Sequence, residues 1–361
     1  MRVLFLTDPV PDYLADLLYI GLSRVLGSES VIDFPSKATY HRPEHRVHYI
    51  PQLTPHSYQD EDIVASVREG KFDFAVVSSP RPGAMAALEA LKRRVPMPPV
   101  ILFDGEDDSA IREDAWKDSQ AALYFKRELR LGAEHGLLGW WRNPIGTGRR
   151  QKRRDRLFPL QLSVALEQIP RVEPRERVVD ISYAARISHP KRKQAVDVLR
   201  GASEIHFEGG VYAEPTDRRS KLTSGLPQLW NKLRGDPVIP LHERGTKLTS
   251  QMYYDLLMRS RMALSVRGGG FDTLRYWEIV ATKTLLVSEQ PDIEIPNNFL
   301  HGVHALFFKP DLSDLAGLVQ AFAKEARACA AIAQRGYEHL LRHHTCERRA
   351  EFVLDTCRRM L

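Results

Sequence analysis

The stretch from Arg261 to Ser288 constrains this chain more than any other. Met262–Val266 and Thr284–Ser288 are short apolar runs, which predicts two buried strands. Between them stand Gly268, Gly269 and Gly270, followed by a segment with the spacing of a short helix. Strand, turn, helix and strand in succession is the repeating unit of a parallel α/β sheet. Glycines at such a turn tolerate positive φ and let the backbone approach a ligand closely. The helix start beyond them presents unpaired N–H groups and the positive end of the dipole, a candidate anion site. Asp272 is the expected N-cap and Thr273 a first-turn residue. Arg267 and Arg275 bracket the turn with forks suited to paired phosphate oxygens. Glu278 falls in the second helical turn, where it can meet a ligand hydroxyl. Together these residues point to a diphosphate site for a nucleotide-activated substrate. The competing reading is an ordinary strand–loop–helix connection with solvated arginines.

The chain has 361 residues, 43% hydrophobic and 27% charged, enough for two domains with proper cores. Its three cysteines, Cys329, Cys346 and Cys357, include no CxxC pair, which predicts reduced thiols in a cytoplasmic protein. The apolar opening before Asp8 is too short for a secretory signal. No run approaches the roughly 18 apolar residues of a membrane span, although peripheral association with a membrane stays open. The net charge of +6 is concentrated in Arg149–Arg156, which holds six positive charges and one negative. That run is either a solvated loop or an RNA, DNA or anionic-lipid contact. No aromatic interleaving supports a nucleic-acid surface.

The N-terminal half reads as a doubly wound domain. Arg2–Leu6 is a strand, Tyr13–Leu26 a helix, and Val31–Phe34 and Val47–Ile50 are further strands. Ile63–Glu69 and Ala84–Arg93 read as helices, and Phe72–Ser78, Pro99–Phe103 and Ala121–Phe125 as strands. Strand ends of a parallel sheet share the edge that binds ligands. Three of these strands end in polar clusters, at Thr7-Asp8, Ser78-Ser79 and Asp104–Asp108. Asp8, Asp104 and Glu106 are therefore the candidates for a base that activates a nucleophilic hydroxyl. For each the alternative is a helix N-cap. The run Asp104-Gly-Glu-Asp-Asp108 also admits a metal reading, since hard cations take clustered carboxylates.

Glycines, prolines and the basic run between Leu131 and Pro174 mark a domain boundary. The second domain opens with a strand at Val178–Ile181, a helix at Gln194–Leu199 and a strand at Glu204–Phe207. The loop after its first strand carries Arg186, Lys191 and Arg192, which can reach phosphate. Val238–His242 is an expected strand, Leu248–Ser260 an amphipathic helix and Ala305–Phe308 a late strand. Leu312–Arg327, Ala330–His343 and Arg348–Met360 are expected helices. His339, His343 and His344 lie at helical spacing with no carboxylate partner evident, and read as surface or helix-end histidines.

The segment Ser265–Val287, with its glycine turn, arginine and glutamate ahead of a strand, resembles the donor site of GT-B glycosyltransferases, closest to CgeB-like and exostosin-like patterns. Phe299–Phe308 and the late Gly336, His344-Thr345 and Arg349 are similar to the end of CgeB-like chains. The resemblance covers about Val178–Leu361; in the N-terminal half it is architectural. It implies a GT-B fold, α/β, with two Rossmann-like doubly wound domains facing across a cleft. Residues 1–170 would form the acceptor-side domain, 171–345 the nucleotide-sugar domain, and 346–361 a helix packed back on the first domain. It further implies that Glu278 meets the ribose, that Gly268–Gly270 and Thr273 hold the diphosphate, and that Arg186 binds phosphate. One position departs: where retaining members often carry a second glutamate, this chain has Gly270, so inversion or retention stays open. The implied activity is metal-independent transfer of a sugar from a nucleotide-diphosphate donor to an unidentified acceptor, with no cofactor. The alternatives are a metal-dependent transferase using Asp104–Asp108, and a non-catalytic nucleotide- or nucleic-acid-binding protein.

Overall fold

The computed structural model describes residues 1–45, 47, 49, 60–130, 155–171, 176–212 and 248–361. They fall into two compact units: Met1–Gln168 with Asp292–Asn298 and Leu341–Leu361, and Ile169–Pro291 with Phe299–Leu340.

In the first unit, β1 (Val3–Leu6) leads through α1 (Tyr13–Leu26) to β2 (Val31–Phe34), and a short α2 (Ala38–His41) and α3 (Asp60–Arg68) precede β3 (Phe74–Val77). Then come α4 (Pro82–Lys92), β4 (Val100–Asp104), α5 (Glu113–Ser119), β5 (Leu123–Lys126) and β6 (Leu157–Pro159). The strands form one parallel sheet in the order β2-β1-β3-β4-β5-β6. All four residues of β1 and of β3 are buried, as befits strands covered on both faces. The order reverses between β1 and β3, so their C-terminal ends, Thr7-Asp8 and Ser78-Ser79, flank the switch point where such sheets bind ligands. Strand β6 lies in what reads as linker. Pro159 argues against a strand in the middle of a sheet, but β6 is an edge, where the missing N–H costs no ladder bond. Of the expected strand Val47–Ile50, Val47 and Tyr49 alone are described, and neither is in a strand.

The second unit repeats the plan. Strand β7 (Val179–Arg186), α6 (Pro190–Gly201), β8 (Phe207–Tyr212), α7 (Ser250–Arg259), β9 (Ser260–Ser265), α8 (Leu274–Ala281), β10 (Leu285–Glu289) and β11 (Leu306–Phe308) follow in order. Their parallel sheet runs β11-β10-β9-β7-β8. Here the reversal falls between β7 and β9, which places Arg186 and the glycine turn side by side at the binding edge. Ile181, Tyr183, Leu264 and Val287 of the sheet pack with Ala195, Val196 and Leu199 of α6 in its core. Strand β8 begins at Phe207, where the sequence reading has its strand end. It continues through Gly209 at φ +104°, whose missing Cβ would fall 2.0 Å from the Tyr183 carbonyl oxygen. The expected helix Leu312–Arg327 is shorter, α9 (Leu315–Ala323), and α10 (Ala326–His343) starts right after it. The expected strand Val238–His242 and most of the basic run Arg149–Arg156 lie outside the described residues.

The last helix, α11 (Cys346–Met360), packs on α1 within the first unit. Gly21 permits it: a Cβ there would stand 2.1 Å from the Cys346 carbonyl oxygen. Arg24 of α1 pairs with Glu347 at 2.6 Å and Glu167 at 2.8 Å. Among the described residues no helix is long and apolar enough to cross a membrane.

Candidate functional site

A set of polar and charged side chains gathers at the switch point of the second unit. Beyond β7, His189 caps α6, its Nδ1 accepting the Lys191 amide at 3.1 Å, and Pro190 fills the first helical position. A cap through Nδ1 requires that nitrogen to be unprotonated. Burial first, then the charge of Arg267, holds this imidazole below its ordinary pKa. One residue past Lys191, Arg192 turns inward. Its Nη1 donates to the Arg186 carbonyl at 2.7 Å and its Nε to the carbonyls of Val266 and Arg267 at 3.2 and 3.0 Å. One buried guanidinium thus ties the end of β7 to the turn after β9.

Gly268 makes that tie possible. A Cβ on it would meet Arg192 Nη2 at 2.9 Å and Ser188 Oγ at 3.1 Å. Contrary to the sequence expectation, none of Gly268, Gly269 and Gly270 takes a positive φ; the requirement is close approach. The turn closes with the Gly268 amide donating to the Gly270 carbonyl at 2.9 Å. Glu289, buried at the end of β10, accepts the Arg267 amide at 2.7 Å and the Lys191 ammonium at 2.8 Å. The Arg267 guanidinium lies 4.8 Å from the ring centre of Phe271.

The cap of α8 is Thr273, not Asp272. Asp272 is buried and accepts the Trp277 indole N–H at 2.8 Å, so its carboxylate faces the core. Thr273 makes no side-chain cap bond, and its hydroxyl sits 3.4 Å from that of Ser265. The helix start therefore keeps amide donors that no side chain caps. Arg275, in the first turn, lies over the Tyr183 ring at 5.4 Å, and its Nε has no hydrogen-bond partner among the described residues. One turn on, Glu278 accepts the Tyr253 hydroxyl on Oε2 and the Tyr254 hydroxyl on Oε1, each at 3.1 Å.

The structure thus brings Arg186, Arg267, Gly268–Gly270, Thr273, Arg275 and Glu278 to one edge of one sheet, and turns Asp272 away from it. Sequence reasoning missed Glu289, the clamping role of Arg192 and the two tyrosines. Glu289 was findable as the polar end of a buried strand. Tyr253 reads as part of the apolar face of its helix, and nothing in the pattern separates a core tyrosine from one bonded to a carboxylate.

In the first unit, Asp8 accepts the amides of Val10 at 2.9 Å and Gly83 at 3.1 Å, at the end of β1. Asp104 carries no accessible surface. It pairs with buried Lys126 at 3.0 Å, accepts the Glu106 amide at 3.0 Å and takes the Tyr124 hydroxyl, so it serves the core rather than a substrate. Glu106 is part-exposed and pairs with Arg81 at 2.9 Å, and Arg81 also reaches Asp12 at 3.4 Å. Asp12, the N-cap of α1, was not singled out in the sequence; burial raises its carboxyl above the ordinary value. The metal reading of Asp104–Asp108 does not fit this geometry. Asp104, Glu106, Asp107 and Asp108 each pair with a separate cation, Lys126, Arg81, Arg127 and Arg112, instead of converging.

Residues 212–355 match the model of the family described as glycosyl transferase-like. No curated protein matches the sequence. Solved structures resemble the whole chain. HepE of Anabaena, in complex with UDP and glucose, has a TM-score of 0.59 at 13% identity, over 99% of both chains. A glycosyltransferase from Rickettsia africae has a TM-score of 0.63 at 10% identity, over 99% of this chain and 98% of its own. An alpha-glucosyltransferase in complex with UDP and a DNA 13-mer has a TM-score of 0.56 at 10% identity, over 99% of both chains. The chain has the fold of the GT-B glycosyltransferases, and its residues 212–355 are similar in sequence to the glycosyl transferase-like family.

Proposed function

We propose that the protein is a glycosyltransferase that holds a nucleoside-diphosphate sugar on the binding edge of its second unit and passes the sugar to an acceptor hydroxyl. The observation that carries this reading is the α8 start: amides without a side-chain cap, with Arg267 and Arg275 beside them and Glu278 one turn further on. The amides and cations suit a diphosphate, and Glu278 suits a sugar hydroxyl. As the glycosyl bond breaks, negative charge grows on the leaving diphosphate. Fixed donors aimed at that charge lower the barrier by about 3–4 kcal/mol each where they have been removed singly. Here Arg186, Lys191, Arg267 and Arg275 supply the positive charge from the protein itself, so we expect no metal requirement.

The acceptor hydroxyl must lose a proton as it attacks. With Asp104 sealed in its ion pair, Asp8 and Glu106 remain as the expected bases. UDP is the first donor nucleotide to try, because HepE was solved with UDP and with UDP-glucose.

The test is a thermal-shift series with UDP, GDP, ADP, CMP and dTDP on the wild type and on Arg275→Ala. A ligand that binds only the folded state at a hundred times its Kd adds about 2.7 kcal/mol of stability. At least one diphosphate should raise the melting temperature of the wild type and raise that of Arg275→Ala much less. No shift with any of the five, or equal shifts in both proteins, would overturn the proposal.

A further inference from the structure

Glu278 is not a lone carboxylate waiting for a ligand. Each of its oxygens already accepts one phenolic hydroxyl, at the same 3.1 Å, from consecutive residues of α7. The two rings brace one another, with centroids 5.3 Å apart and planes at 54°. Tyr254 is buried, and Tyr253 partly so. Burial first and the Glu278 charge second push both phenols up, so they stay protonated and act as donors.

The helix that carries them is itself anchored. Thr249 caps it, accepting the Met252 amide at 3.2 Å. Near its other end the Leu257 carbonyl accepts from Arg177 Nη1 at 3.1 Å and from the Thr284 hydroxyl at 2.8 Å. Leu256 and Leu257 are buried beneath it. Two stiff side chains on a pinned helix fix the plane and the rotation of the Glu278 carboxylate.

An ionised carboxylate offers about four lone-pair positions, two on each oxygen. With one on each oxygen occupied, one acceptor position per oxygen remains. That is the pattern for two neighbouring hydroxyls donated together, and a ribose presents them as its 2′ and 3′ hydroxyls. A carboxylate free to rotate would take one hydroxyl as readily as two.

We infer that Tyr253 and Tyr254 are positioning residues that hold Glu278 for two-point capture of a vicinal diol, which makes the site selective for ribonucleoside over 2′-deoxyribonucleoside diphosphates. This rests on the proposed donor site and adds to it the reason for sugar selectivity. The tyrosines touch the carboxylate, not the diphosphate.

The experiment is calorimetric titration of the full chain with UDP, 2′-deoxy-UDP and inorganic diphosphate. The proteins are the wild type, Glu278→Ala and the double variant Tyr253→Phe/Tyr254→Phe. Loss of one hydrogen bond to a charged group predicts that the wild type prefers UDP over 2′-deoxy-UDP by roughly 10- to 100-fold. In the double variant that preference should fall to within about threefold, with affinity for inorganic diphosphate unchanged, because the diphosphate donors are intact. A preference that survives in the double variant overturns the inference. So does a parallel loss of affinity for all three ligands, which would mean the hydroxyls merely hold the unit together. If the wild type prefers UDP and Glu278→Ala alone abolishes that preference, the donor site stands and the tyrosines have no positioning role. If the wild type binds none of the three, the donor site itself falls.

Discussion

Adding a single methyl group at Gly268 tests how tightly the donor turn is built. A Cβ there would stand 2.9 Å from Arg192 Nη2 and 3.1 Å from Ser188 Oγ, so one of them must move. Ser188 is exposed and can turn away, but Arg192 is held by carbonyls at 2.7, 3.0 and 3.2 Å. Forcing a methyl into a packed site typically costs about 1–3 kcal/mol. Each bond from a charged donor that is stretched gives back part of its roughly 1.5–3 kcal/mol. The strain is borne by the turn that, in the proposed donor site, presents its amides to the diphosphate. About 2 kcal/mol lost from binding corresponds to a roughly 30-fold weaker Kd. Calorimetric titration of Gly268→Ala with UDP measures it, with near-ultraviolet circular dichroism confirming the fold. Gly317→Ala, in α9 and outside the turn, is the control: a Cβ there meets nothing within 4 Å, so the same methyl should change Kd by no more than about twofold. A folded Gly268→Ala that binds UDP as the wild type does would refute the close-approach argument.

Three other perturbations address separate parts of the molecule. Lys126→Ala strips the buried Asp104 of its cation and should cost about 3–5 kcal/mol in urea unfolding, whereas a change under 1 kcal/mol would show the pair to be idle. Gly21→Ala drives a methyl against the Cys346 carbonyl and should lower the melting temperature well beyond the effect of Arg24→Ala, which removes surface-edge ion pairs; the reverse order would contradict the α1–α11 packing. Because His189 is held below its ordinary pKa, the folded protein takes up this proton later than the unfolded chain does. Its stabilising contribution is therefore complete above about pH 6.5 and fades as the pH drops through the lower folded value. His189→Asn keeps a cap that does not titrate, so its melting temperature should fall less steeply than that of the wild type below about pH 6.5. Parallel curves would contradict this.

The fold was legible where periodicity and punctuation agreed. The strand Phe74–Val77 and the first three residues of β10, Leu285–Val287, are uninterrupted apolar runs, and the helices between them carry clear stripes. Edges were harder. Strand β6 is three residues long and ends in Pro159, and β8 owes its course to Gly209, whose role depends on the Tyr183 carbonyl opposite. In the site, the glycine turn, the flanking arginines and Glu278 could be read from one continuous stretch. Arg192, Glu289, Tyr253 and Tyr254 belong to the same constellation but come from three other elements. Only the strand order brings them together. Asp272 shows the converse: an aspartate one residue before a helix reads as its cap, yet the Trp277 indole five residues later claims it. The acidic run Asp104–Asp108 looks like a ligand cluster on paper. Lys126 and Arg127 on the neighbouring strand and the loop after it, together with Arg81 and Arg112, neutralise it residue by residue.

Hydrogen exchange with and without saturating UDP tests the donor site most directly. Bound diphosphate would occupy the amides at the start of α8, so protection should appear across residues 266–278 and at the Ser188–Arg192 loop. Absence of protection there while UDP binds, or protection confined to the first unit, would contradict the placement of the donor.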